Sequence, residues 1–273
     1  MKYAKRTQKY VNYDTAAEAA SAERFDLIQP KHDGWWACVS IKKGVARIYS
    51  RQAVLKATIE VPKATDCVLL GEYLVGTQRA KQSDDESRLV VFDVLEVEGV
   101  PVTSETYERR MSNYGRCVTF VDWMQRVESV PVKQHRTAWS RLVEKEGAEG
   151  LVFRHSLDPY DRGVIGRVKQ TFTMDYVVMG LQPGEGRHEG RMGAVICGLY
   201  EGKKLVEKVR VGGGWSDQER DAIWKRPQSY VGRVLEVRGY QVFDSGSMRH
   251  PNAVRFREDK DASECVFTKK EVK

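Results

Sequence analysis

Long apolar runs are missing from this chain. Stretches such as Leu89–Phe92 and Ala194–Cys197 are far shorter than the roughly 20 residues a membrane-spanning helix needs. The basic start, MKYAKR, leads into Thr, Gln and Asn rather than an apolar segment, so no secretory signal is expected. Cysteine is scarce: the five are odd in number, far apart and never spaced CxxC. That excludes a metal knuckle, argues against a disulfide framework and predicts a reduced, cytoplasmic protein. No internal repeat or low-complexity block is present, so a solenoid is excluded. Neither charge sign dominates. Lys plus Arg is 45 against 38 for Asp plus Glu, a net charge of +7 that suits a nucleic-acid or polyphosphate partner without demanding one.

What is present belongs to a soluble globular protein. The chain has 273 residues, 41% hydrophobic and 30% charged, with a mean hydropathy of −0.52. Such a length buries a substantial core in one large domain or two ordinary ones. Residues 15–25 are rich in Ala and Glu and predict a helix. Short β-type runs follow at Ala37–Ile41, Val45–Tyr49, Cys67–Leu70 and Leu89–Leu95, separated by glycine and charge. Residues 104–126 and 134–146 predict helices, the second stopping at Gly147. Strand character returns at Gly150–Phe153 and Val164–Lys169.

Beyond Asp175 the texture changes. Tyr176–Gly180, Gly193–Tyr200, Leu205–Val211 and Arg233–Tyr240 read as strands with glycine-rich turns. Ser216 and Glu219 have capping-box spacing and open the one intervening helix. Several strands with a single helix in about 100 residues predict a small OB-type β-barrel. The expected fold class is α+β, with antiparallel sheets and helices in 1–172 and the barrel in 173–273.

Five segments carry candidate chemistry. Lys31-His-Asp-Gly34 sets a lysine before a turn dipeptide. Leu69-Leu-Gly-Glu72 ends an apolar run in a carboxylate, and Phe92-Asp93 puts a ring and an acid on an apolar strand. Glu149-Gly opens a strand, and Arg167-Val-Lys169 sends two cations to one strand face. Singly, each has an ordinary structural explanation: a surface turn, a strand-end Glu, a core Phe, a solvated cationic face.

Together, and in this order, the segments resemble the covalent nucleotidyltransferases, the superfamily of ATP-dependent DNA ligases, RNA ligases and mRNA capping enzymes. Lys31-His-Asp-Gly34 resembles motif I, Glu72 motif III, Phe92-Asp93 motif IIIa, Glu149-Gly150 motif IV and Arg167-Val-Lys169 motif V. Ser50-Arg51 matches the Ser-Arg pair that follows motif I in DNA ligases. The stretch from Ser247 to Lys260 is similar to DNA-ligase motif VI.

The resemblance implies a small DNA ligase of phage or viral type, a nucleotidyltransferase domain followed by an OB-fold. It would seal 3′-OH/5′-phosphate nicks in duplex DNA, as a monomer, with ATP and Mg²⁺ or Mn²⁺. Lys31 would be the nucleophile. A lysine is protonated at neutral pH and attacks poorly until neighbouring cations disfavour its charged form. Gln29, Asp33, Arg51, Glu72, Phe92, Glu149, Arg167, Lys169, Arg257 and Lys260 would contact the nucleotide. Glu72 and Glu149 are hard oxygen ligands suited to the metal. Where motif I usually carries an Arg, this chain has Trp36, so Lys42, Lys43 or Arg51 is expected to take over the DNA contact. An RNA ligase, a capping guanylyltransferase and a non-catalytic OB-fold nucleic-acid-binding protein are the alternative readings.

Overall fold

The apolar runs become strands buried on both faces. In the computed structural model, which describes residues 3, 8–74, 88–118 and 121–268, the chain divides into two units, Met1–Lys169 and Gln170–Lys273. In the first unit the larger sheet follows the antiparallel path Leu55–Glu60, Val45–Tyr49, Trp35–Lys42, Cys67–Leu74, Arg88–Val97, Val100–Pro101. Met124–Arg126 joins it parallel to Arg88–Val97. Period 2 explains why these runs are so continuously apolar. Ala37, Val39 and Ile41 face one core with Leu69 and Val91, while Cys38 faces another with Val68, Leu70 and Leu95.

A second sheet orders its strands Lys9–Tyr13, Val164–Lys169, Gly150–Arg154, Leu27–Lys31 and Val130–Pro131. Its first pair is parallel and the rest are antiparallel. Phe25, Ile28, Leu151, Phe153 and Val168 pack from this sheet and its connections against Leu142. That core also receives the helix Ala16–Ser21, which Thr15 caps by accepting from the Glu18 N–H (3.1 Å).

The helix predicted over 104–126 is not one helix. Tyr107–Ser112 and Tyr114–Val118 are separate short helices and Met124–Arg126 is a strand; Thr119 and Phe120 lie outside the described residues. Asn113 ends the first helix, its side-chain amide donating to the Arg109 carbonyl (3.1 Å). That local bond competes with helix continuation. The helix at His135–Ala138 runs on as a π-helical turn, Trp139–Lys145, and stops before Gly147.

The second unit holds a five-stranded antiparallel sheet. Its order is Lys204–Val211, Met192–Glu201, Phe172–Pro183, Val234–Gly239, Asn252–Arg257. The Ser216–Glu219 capping box opens the helix Asp217–Lys225. The expected barrel is not a closed ladder. Among the described residues, the end strands Lys204–Val211 and Asn252–Arg257 share no ladder; Gly213, just past the first, makes an isolated parallel bridge to Asn252. No helix among the described residues is long and apolar enough to cross a membrane.

A carboxylate with two guanidinium neighbours is buried inside the first unit. Arg110 donates through Nε and Nη2 to the two oxygens of Asp93 (2.7 and 2.9 Å), and these residues are 1% and 0% exposed. Arg154 Nη1 is 3.7 Å from Asp93 and compensates only in part. Arg110→Ala is therefore expected to destabilise the protein by about 3–5 kcal/mol, the cost of stranding a buried charge. Urea denaturation checks this, and a change below about 1 kcal/mol would contradict it.

Candidate active site

The segment Lys31-His-Asp-Gly34 is the joint between the two sheets of the first unit. Lys31 ends the strand Leu27–Lys31, and Trp35 begins the next. The backbone at Gly34 passes so close to the Cys67–Leu74 strand that a Cβ there would lie 2.6 Å from the Tyr73 carbonyl oxygen. A glycine is needed for that approach, which makes the dipeptide more than a surface turn.

Glu149 reaches the same place from the neighbouring strand. Gly150 pairs with both Lys31 and Lys169, and a Cβ on it would sit 2.0 Å from the Val168 carbonyl. This close packing aligns Glu149 with Lys31, whose carbonyl accepts from the Glu149 N–H (2.8 Å). The Glu149 carboxylate then binds two cations, Lys31 Nζ through Oε2 and Lys169 Nζ through Oε1 at 2.8 Å. Burial pushes its pKa up, but Lys31 and Lys169 outweigh burial and hold it below the ordinary value.

Glu72 sits opposite Trp36 in the paired strands and behaves differently. Burial, with a smaller push from Glu149, raises its pKa to about 7 against the opposing influence of Lys31, a Gly34 backbone hydrogen bond and Arg51. His32 is depressed to about 4, by burial first and then by Arg88 and Lys31, so its imidazole is neutral at pH 7.

Lys31, His32 and Glu72 open onto a cavity of about 170 Å³ whose walls include Gln29, Phe92, Arg51, Arg167 and Trp36; Glu149 and Lys169 are outside its lining. Arg167 lies over the Tyr10 ring (4.3 Å) and donates to Asn12 Oδ1 (3.2 Å). Phe92 has the Arg154 guanidinium 5.6 Å from its centroid. Gln29 is 2% exposed and its amide is engaged within the protein. It donates to Tyr107 Oη (2.5 Å) and Ser129 Oγ (3.0 Å) and accepts from Arg154 Nε (3.0 Å).

Other predicted residues lie elsewhere. Asp33 is in the turn after Lys31 and outside the cavity lining. Lys42 is at the far end of the Trp35–Lys42 strand, roughly 20 Å along from Trp36 at about 3.3 Å per residue. Lys43 follows it, its N–H donating to Asp66 Oδ1 (2.7 Å). Of the three cations expected to replace the missing Arg, the fold brings only Arg51 to the cavity. In the second unit Arg257 and Lys260 converge on Asp175 Oδ2 (3.1 and 3.0 Å), and Arg257 also grips Asp259 (2.8 Å twice).

Sequence reasoning missed Arg154 and Tyr10. Arg154 ends the strand that Glu149 precedes, a position that pattern alone reads as a surface cation. Tyr10 sits on Lys9–Tyr13, too short and polar a run to read as a strand without its partner at Val164–Lys169.

Residues 183–257 match the family model for the DNA ligase OB-like domain. The DNA ligase of Aeropyrum pernix is 24% identical over 242 residues, spanning 72% of this chain and 40% of that protein. The DNA ligase of Thermococcus onnurineus is 25% identical over 294 residues, spanning 86% and 52%. The chain thus spans about half the length of these curated relatives or less. Among solved structures, one from a structure–function study of Lig E DNA ligases, described as DNA binding with a minimal scaffold, superposes with a TM-score of 0.67. It is 18% identical and covers 92% of this chain and 100% of its own. Another, Pmar-Lig_PreS3, gives a TM-score of 0.70 at 19% identity, covering 92% and 67%. The fold is that of these ligases.

The raised pKa of Glu72 has a measurable consequence. A carboxyl whose folded-state pKa exceeds its unfolded value lowers stability as it ionises. The penalty grows as pH climbs from the ordinary 4.5 toward about 7 and is complete above that. Glu72→Gln should melt at a higher temperature than the parent at pH 8 and much closer to it at pH 5. Thermal melts at the two pH values check this, and a pH-independent difference would refute it.

Proposed function

We propose that this chain is an ATP-dependent DNA ligase that seals 3′-OH/5′-phosphate nicks in duplex DNA. The observation that carries the reading is Lys31 on the cavity wall, ion-paired to Glu149 and flanked by Glu72, Phe92 and Arg167, in a fold shared with solved DNA ligases. In this reading 1–172 is the nucleotidyltransferase domain and 173–273 the OB-fold domain, where the DNA ligase OB-like match favours DNA over RNA ligation.

Lys31 Nζ attacks the α-phosphate of ATP. A P–N bond forms and the P–O bond to pyrophosphate breaks; the ammonium loses two protons in all, one to become the attacking amine and one on forming the P–N bond, and these pass to water and the departing pyrophosphate. Glu149, already hydrogen-bonded to Nζ, orients the amine as it attacks. Lys169 and Arg167 balance the phosphate charge. Phe92 offers a face to the adenine, and Gln29 lines the wall on the nucleoside side. The AMP then passes to the 5′-phosphate of the nick, and the 3′-OH displaces it.

The donor set fits Mg²⁺. Among the described residues no cluster of three or more His, Cys, Asp or Glu forms a metal cage, but Mg²⁺ commonly binds through one or two carboxylates with substrate phosphates and water. Glu72 and Glu149, near enough for Glu149 to raise the Glu72 pKa, would hold it. Bound there, the metal would neutralise phosphate charge during transfer.

Lys31→Ala should gain no AMP when incubated with ATP and Mg²⁺, as read by intact mass, yet should still join a nick that already carries 5′-AMP. Lys31→Arg should behave alike, since a guanidinium stays protonated. Adenylation of Lys31→Ala would overturn the assignment, and a parent protein that gains no AMP would refute the ligase reading itself.

A further inference from the structure

Trp36 and Arg51 form a cation–π pair on the cavity wall that the chemistry assigned to Lys31, Glu72 and Glu149 does not use. Trp36 is the second residue of its strand, and alternation sends Trp35 and Trp36 to opposite faces. Trp35 packs into the main core against Tyr73, ring centroids 4.9 Å apart. Trp36 faces the cavity, with Glu72 directly opposite in the paired strand. Arg51 follows the Val45–Tyr49 strand, in a turn closed at Ser50 by its N–H to the Val54 carbonyl and by the Ala53 N–H to its own carbonyl (both 2.9 Å). Its guanidinium lies 5.3 Å from the Trp36 ring centroid, and Arg51 is exposed. Among the described residues it has no carboxylate within ion-pair distance, although it lines the same cavity as Lys31.

A guanidinium carries five N–H donors, and an indole in cation–π contact with it does not take the place of an anion. Those donors can take a phosphate in bidentate fashion. A long arginine at a turn otherwise loses considerable rotamer freedom on binding an anion, and the contact with Trp36 offsets part of that loss in advance. We propose that Trp36 is a positioning residue that holds Arg51 over the cavity, where the N–H donors of that arginine meet the substrate phosphate that the ligase reading already gives it. This rests on the ligase reading, which offers two sources of that phosphate: the ATP triphosphate and the nicked strand.

The test compares the full chain with Trp36→Ala, Arg51→Ala, the double variant and Trp36→Phe, each first confirmed to be folded by thermal melting. Single-turnover self-adenylation with ATP and Mg²⁺ reports the nucleotide source. Binding of a nicked duplex and joining of a pre-adenylated nick report the strand source. Trp36→Ala is expected to weaken one of these by roughly five- to ten-fold, the worth of a partly desolvated cation–π contact. Arg51→Ala is expected to weaken the same one at least as much. The double variant should match Arg51→Ala within about two-fold, because Trp36 acts through Arg51. Trp36→Phe should recover most of the loss. A defect confined to self-adenylation identifies ATP, and one confined to the nick assays identifies the strand; either supports the pair. Losses that multiply in the double variant, or a Trp36→Ala protein with unchanged rates and affinities, would overturn the proposal. A parent that neither adenylates itself nor joins a nick would instead refute the ligase reading on which it rests.

Discussion

A single carboxylate between two lysines organises the candidate site. Glu149 binds Lys31 and Lys169 at once, and it can do so because Leu27–Lys31 and Val164–Lys169 flank Gly150–Arg154 in register. A slip of one residue would turn Lys31 or Lys169 to the opposite face of the sheet and separate the three groups. Gly150 makes the register tight, since no side chain fits between its Cα and the Val168 carbonyl. The chemistry proposed for Lys31 therefore depends on a strand alignment before it depends on any ligand.

A buried polar network holds that alignment from behind. Asp93, on the larger sheet, receives the Arg110 guanidinium. Arg154 approaches the same carboxylate and donates to Gln29 on the smaller sheet. Gln29 passes the chain on to Tyr107 and Ser129. Every member is satisfied by another, so the network costs little to bury while complete and much once broken. It ties both sheets of the first unit to the helix Tyr107–Ser112, and it keeps Arg154 beside the Phe92 ring. Gln29 thus serves the architecture of the cavity wall as well as its surface.

Glu72 and Glu149 show how environment divides two identical side chains. Two lysines hold Glu149 ionised, whereas Glu72, with more burial than compensation, sits near neutrality. A divalent cation arriving with its phosphates would favour the charged form of both, and the larger change would fall on Glu72. His32, neutral between Lys31 and Arg88, adds no positive charge to a wall already rich in it.

The candidate residues were legible in the sequence through the order of the segments that carry them, since singly each has an ordinary structural explanation. Strands at Cys67–Leu74, Arg88–Val97 and Gly150–Arg154 were legible too, since burial on two faces writes a continuous apolar run. The short strand Lys9–Tyr13, the break at Asn113 and the incomplete closure of the second sheet were not, because each depends on a distant partner or a local side-chain bond. Which of the three candidate cations reaches the cavity could not be read either. Lys42, Lys43 and Arg51 are equivalent by composition, and only the turn after Tyr49 carries one of them back to Trp36. The sequence alone determined which functional groups exist, and tertiary structure decided which of them meet. Lys31 and Glu149 are 118 positions apart, so only sheet register, set by long-range pairing and by backbone approach at Gly34 and Gly150, brings one to the other.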